Sequence, residues 1–284
     1  MIFYFFELLK PKIILANWVS LCSGYFLGSR GNLNFKLFFF NSLCLFLVVA
    51  SSCILNNVID RKIDKFMLRT QHRILVEYTK YCNSVIIFSI IMFSLGICVC
   101  ITFINILCCI LYIIGWFVYV FIYSFLLKKK SAFSVVVGSI SGALPPIIGY
   151  CSVINNLDVC VLYLFLMFAF WQIPHSYSLC IFYLEDYRMA NIPIFPIIYG
   201  LKITQYNIVI TIILFFIFSC GLFILNFLGY KYFIVLFVLC SVWLYYSCLK
   251  LTHDNSKLWA KKVFQWSIIV VFLLDVFISF DYIV

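Results

Sequence analysis

The stretch Ser84–Ile104 reads SVIIFSIIMFSLGICVCITFI, without a single Asp, Glu, Lys, Arg or His. As a helix rising about 1.5 Å per residue, a run of this length covers the roughly 30 Å hydrocarbon core of a bilayer. It is too uniformly apolar for a lipid-facing barrel strand, which would alternate. Eight further spans of this kind lie at about Ile13–Leu27, Leu37–Ile59, Ile106–Leu127, Phe133–Ile154, Val159–Tyr183, Tyr206–Leu228, Tyr232–Leu249 and Val263–Tyr282. The expected architecture is an all-α bundle of about nine transmembrane helices. Composition agrees: 66% of the residues are hydrophobic, 11% are charged, and the mean hydropathy is +1.14.

The charge of +10 forms no single patch of the kind nucleic acid requires. Its distribution gives topology instead. All Lys and Arg except Arg30, Lys36 and Lys231 fall at one end of the spans, so the positive-inside rule places the N-terminus in the cytoplasm and the C-terminus outside. Residues 1–284 read as one polytopic membrane domain. The ten residues before Pro11 leave no room for a cleavable signal, so the first span is expected to be retained. The 14 cysteines include no Cys-x-x-Cys pair, and they read as small packing residues.

The two longest connections, Asp60–Cys82 and Leu184–Gln205, follow the second and sixth spans, a spacing that hints at internal duplication. Both open with acids, and they should converge on one mouth of the bundle. In the first, NNVIDRKIDKFMLRTQHR (Asn56–Arg73), Asn56, Asp60 and Asp64 are spaced four and four. On a helix each is turned only about 40° from the last, so three oxygen-bearing side chains share one face. Such a set suits Mg²⁺, which takes one or two carboxylates and leaves its other positions to water and phosphate. Arg69 and Arg73 follow, with planar forks that match phosphate oxygens. The competing reading is a solvated, salt-bridged loop that only fixes topology.

In the second region, Asp186 lies eleven residues after His175. On a regular helix both would share a face with Gln172, with His175 about 16 Å deeper. His175 reads either as a hydrogen-bonded packing residue or as a group that meets a bound substrate or moves its protons. Lys128, five residues after Tyr123, reads either as a positive-inside anchor or as a cation of the site. Pro145-Pro146 should bend or break the fifth helix, and Asp275, inside the last span, should be protonated or face the bundle interior.

The pattern Asn56-x-x-x-Asp60-x-x-x-Asp64-x-x-Met67-x-Arg69-Thr70-x-x-Arg73 resembles the first aspartate-rich motif of the UbiA-type intramembrane prenyltransferases, in particular the protoheme IX farnesyltransferase (heme O synthase) branch. ELLKPKIILAN (Glu7–Asn17), YSFLLKKKSAFSVVVGSISGALPPIIGY (Tyr123–Tyr150), WQIPHSYSLCIFYLEDYRMANIPIFPIIYG (Trp171–Gly200) and WAKKVFQWSII (Trp259–Ile269) extend the likeness over almost the whole chain.

The resemblance implies farnesyl transfer from farnesyl diphosphate to the vinyl group of heme b, with Mg²⁺ as cofactor, in a bacterial cytoplasmic (inner) membrane. Its implied partners are farnesyl diphosphate, heme b, membrane lipids and a downstream heme-copper oxidase or heme A synthase, with no nucleic acid. Asp60, Asp64, Asp186 and His175 then stand as catalytic candidates. Asn56 joins Asp60 and Asp64 as a metal ligand, and with Arg69, Arg73, Lys128 and Tyr123 it meets diphosphate or heme propionate. Two positions depart from the wider family: Asn57 stands where an Asp is common, and Glu185-Asp186 replaces two spaced aspartates. A UbiA-type enzyme with another aromatic acceptor, and a membrane transporter, are the alternatives weighed.

Overall fold

The computed structural model describes residues 7–282 and is built of helices. Nine are long: α1 (Pro11–Ser29), α2 (Phe35–Asp64), α3 (Cys82–Phe103), α4 (Ile106–Leu127), α5 (Ser134–Ile154), α6 (Val159–Phe182), α7 (Phe195–Ile224), α8 (Tyr230–Cys248) and α9 (Ser256–Phe280). Among the described residues, α2 to α9 are long and apolar enough to cross a membrane. Helix α1 has 19 residues but is less apolar, since it carries Lys12, Asn17 and three serines. The chain is a multi-pass membrane protein.

Side chains set several helix starts. Asn34 caps α2 through Leu37 N–H at 3.1 Å, Asn105 caps α4 through Cys108 N–H at 2.7 Å, and Asp158 caps α6 through Val161 N–H at 3.1 Å. Pro145-Pro146 acts as expected: α5 breaks into Ser134–Gly142 and Leu144–Ile154, with the prolines in the first turn of the second half. Three boundaries differ from the sequence reading. Helix α2 continues past Ile59 through Asp64, α9 begins at Ser256, and α7 begins at Phe195 with a break at Gly200, whose φ of 81° a side chain would resist. Pro174 lies within α6 without ending it.

Neighbours pack in chain order, and α9 returns to contact both α1 and α6, which closes the bundle. Buried polar pairs tie the helices together: Ser51 to Ser89 at 3.0 Å, Trp116 Nε1–H to Ser51 Oγ at 3.0 Å, and Tyr112 O–H to Asn41 Oδ1 at 2.9 Å. Asp275 faces inward as expected, is 2% exposed, and accepts hydroxyl protons from Ser23 at 2.6 Å and Ser20 at 2.8 Å. All 14 cysteines are free thiols.

The tightest contact joins α1 to the second half of α5. A Cβ on Gly24 would come within 1.8 Å of the Pro146 carbonyl oxygen, and one on Gly149 within 2.1 Å of the Leu21 carbonyl oxygen. Backbones that meet this closely have no flexible atom to yield. Gly24→Val and Gly149→Val should each destabilise the protein by about 1–3 kcal/mol or more, as overpacking does, read as a lower unfolding temperature in detergent. An unchanged temperature for both would show that the helices do not touch there.

Candidate active site

Asn56, Asp60 and Asp64 share one face because α2 stays helical to Asp64, and each is 3% exposed. Polar neighbours answer their burial. Lys128 Nζ donates to Asp60 Oδ2 at 2.5 Å, and Asn56 Nδ2 donates to the same oxygen at 2.9 Å and to Ser124 Oγ at 3.1 Å. Arg73 Nη1 donates to Asp64 Oδ2 at 2.8 Å, and Lys10 Nζ donates to Asn56 Oδ1 at 2.5 Å. Asp60 Oδ1 is sealed from solvent and has no hydrogen-bond partner among the described residues.

A buried acceptor without a partner costs about 1–3 kcal/mol, more if charged, so that oxygen suits a cation. Among the described residues no three acids, histidines or cysteines cluster as metal ligands. Two carboxylates and an amide nevertheless fit Mg²⁺, whose shell is completed by water and phosphate oxygens. A cavity of about 150 Å³ opens beside them, lined by Lys10, Asn57, Asp64 and Arg73. Asn57 Nδ2 donates to the Leu8 carbonyl at 3.0 Å, so this residue ties the N-terminal segment to α2.

Lys128 reaches Asp60 because α4 changes pitch. Val118–Leu127 is a π-helix, and the Lys128 N–H bonds the carbonyl of Tyr123, five residues back, at 2.9 Å. That widening brings Ser124 and Lys128 onto the α2 face. Burial alone would lower the Lys128 pKa, but the Asp60 carboxylate outweighs it and holds the ammonium above its usual value. Tyr123 stacks on Tyr119 with ring centres 5.7 Å apart, and its ring occupies space left open at Gly138 of α5.

The two acidic loops converge. Ile63 and Met67 pack with Cys180, Ile192 and Ile194, and the Arg69 guanidinium lies 4.2 Å over the Tyr183 ring. Arg69 therefore bridges to the second loop and makes no ion pair with Asp60 or Asp64. Asp186 is buried, yet its carboxylate accepts no hydrogen bond among the described residues, while Glu185 pairs with Arg188 at 2.7 Å in an exposed contact.

One sequence expectation is corrected. Helix α6 ends at Phe182, Tyr183 leaves helical geometry, and Asp186 sits on a separate short helix, Leu184–Met189. The register that would align Gln172, His175 and Asp186 on one face is therefore broken. His175 turns to α9 instead: its Nδ1 lies 2.8 Å from Ser267 Oγ and its ring stacks on Trp171.

Lys10 and Ser124 escaped the sequence reading. Lys10 registered only as a topology signal, though it precedes Pro11 and takes a left-handed φ of 52°. Ser124 depends on the π-helix, which left no trace in the apolar pattern.

Such a bundle, with acids and cations gathered at one mouth, is that of an intramembrane prenyltransferase. The profile of the UbiA prenyltransferase family matches residues 17–269, and the chain belongs to that family. It is 56% identical to the protoheme IX farnesyltransferase of Buchnera aphidicola subsp. Baizongia pistaciae over 99% of this chain and 98% of the relative. It is 40% identical to the enzyme of that name from Photorhabdus laumondii subsp. laumondii, over 99% and 96% respectively. Among solved structures, a digeranylgeranylglyceryl phosphate synthase superposes with a TM-score of 0.80 at 22% identity, covering 98% of both chains. A UbiA homolog from Archaeoglobus fulgidus bound to GPP and Mg²⁺ superposes with a TM-score of 0.64 at 14% identity, covering 97% of this chain and 99% of that one.

Burial pushes the Lys10 ammonium down to about 8, with Arg73 and Lys128 acting in the same direction. Its positive charge is thus present below pH 8 and lost above it. The kcat/KM for a diphosphate substrate, which reports groups of the free enzyme, should fall as pH rises through about 8. Lys10→Arg, which keeps its charge, should flatten that limb. A limb unmoved by the substitution would assign it to another group.

Proposed function

We propose that this chain transfers the farnesyl group of farnesyl diphosphate to a vinyl group of heme b, with addition of water, to give heme O and diphosphate. One observation carries the reading: a buried carboxylate pair with one sealed, unpartnered oxygen, ringed by Lys10, Lys128 and Arg73. The relatives of that enzyme name, similar along their whole length, supply the acceptor.

Asp60, Asp64 and Asn56 would hold Mg²⁺, which neutralises charge on a departing diphosphate. Lys10, Lys128 and Arg73 bind the diphosphate oxygens and stabilise the charge that grows as the C–O bond breaks and its electron pair leaves with them. The π electrons of the vinyl group then form the new C–C bond to the allylic cation. Water captures the cation left beside the ring and releases a proton, giving the hydroxyethylfarnesyl arm. The surrounding apolar helices keep bulk water from the first cation.

Arg69, whose guanidinium lies over the Tyr183 ring, is placed to meet an anionic group, diphosphate or heme propionate. Asp186 serves the same mouth from the second loop, and Tyr123 shapes the wall beneath Lys128. The mouth faces the cytoplasm of a bacterium, where the basic loops also lie, and the product passes to a heme-copper oxidase or heme A synthase.

Asp60→Ala and Asp64→Ala should each lower heme O formation by about 10²-fold or more, the usual cost of removing such a contact. The assay incubates purified protein with heme b, farnesyl diphosphate and Mg²⁺ and separates the more hydrophobic heme by chromatography. Turnover near the wild-type rate in either variant would remove that residue from the mechanism.

A further inference from the structure

The surroundings of His175 favour one tautomer of its ring. Ser267, fully buried on α9, donates its hydroxyl proton to the Phe264 carbonyl at 2.6 Å. Ser267 Oγ also lies 2.8 Å from His175 Nδ1, and a serine hydroxyl has one proton; while that proton serves the shorter bond to the Phe264 carbonyl, Oγ accepts from Nδ1–H. In that arrangement Nδ1 carries the N–H, and in the neutral ring the lone pair sits on Nε2.

The ring is also held in place. Trp171 stacks against it and Phe264 packs against it, each with ring centres 4.8 Å away, and Trp171 Nε1–H is itself anchored on the Ser267 carbonyl at 2.8 Å. Nε2 has no hydrogen-bond partner among the described residues, and His175 is only partly buried. A packing histidine in an apolar interior would be expected to use both nitrogens. Here one nitrogen is fixed by a buried acceptor and the other is left open, which is how proteins orient a histidine that ligates a metal.

Among the described residues no second histidine, cysteine or acid completes a coordination set around it. A lone nitrogen suffices only for a metal that brings its own donors, and a porphyrin iron brings four. We propose that His175 Nε2 is an axial ligand to the iron of the heme substrate, and that Ser267 is the positioning residue that keeps its lone pair available. The proposal rests on the reading of heme as the acceptor. It adds a specificity rule: iron-free protoporphyrin IX, with the same vinyl groups, is bound less well.

The test titrates the full chain, in detergent or nanodiscs, with ferric heme b and separately with protoporphyrin IX, following absorption and electron paramagnetic resonance. The wild type should show a histidine-ligated heme spectrum and should prefer heme over protoporphyrin IX by about 10-fold or more. His175→Ala should lose both and regain the spectrum with added imidazole, while its affinities for farnesyl diphosphate and protoporphyrin IX stay unchanged. Ser267→Ala should weaken heme binding by about 10-fold, as loss of an orienting partner does, and Ser267→Thr should restore it. A His175→Ala protein that keeps the wild-type spectrum and preference would overturn the ligation while heme O synthesis by the wild type leaves the function standing. A wild type that neither binds nor prenylates heme would overturn both.

Discussion

A carboxylate taken out of water at the edge of a membrane demands compensation, and Asp60 has it on one oxygen and lacks it on the other. Moving an isolated ion from water into a medium of low dielectric costs far more than a domain's stability can absorb, so buried charges survive only when paired. Lys128 and Asn56 meet that need at Oδ2. The open Oδ1 is a cost the fold alone does not remove, and it points to a cation that arrives with substrate.

Several irregularities make sense as consequences of that pairing. The π-helix in α4 shifts the backbone so that Lys128 and Ser124 reach the α2 face. Lys10 adopts a left-handed conformation, a cost of about 1–2 kcal/mol for a residue with a Cβ, and its ammonium lands on Asn56. The close packing of α1 on α5 through Gly24 and Gly149 fixes where that segment enters the bundle. Strain stored at one site and offset by packing elsewhere is a pattern typical of functional regions.

The sequence carried the helices and the acid register clearly, because both depend on local spacing. An apolar run of spanning length has few alternatives in a bilayer, and residues four apart share a helix face wherever the helix persists. What spacing could not carry was set by neighbouring helices. The end of α6 at Phe182 separated Asp186 from the face of His175. The α4 widening and the Lys10 to Asn56 contact, between residues 46 positions apart, arise only when three helices meet. Asp275 was legible as inward-facing because a lipid-exposed carboxylate is excluded on cost, but its serine partners lie on α1, at the far end of the chain.

The two polar regions along α6 differ in a way that separates two kinds of chemistry. At the mouth, cations and carboxylates stand in near balance, with ion pairs at Asp60 and Asp64, an environment for a multiply charged group that never fully leaves water. Seven residues before the end of α6, about 10 Å deeper on a regular helix, the polar groups are uncharged side chains and the imidazole of His175, held by Ser267 among aromatic rings. A diphosphate at that depth would face desolvation with no cation in contact with the ring. The proposed ligation suits that depth, because a neutral lone pair there meets a centre whose charge is already shielded by its own ligands. With the two substrates placed as proposed above, the fold sorts them by charge, the diphosphate at the rim and the macrocycle within.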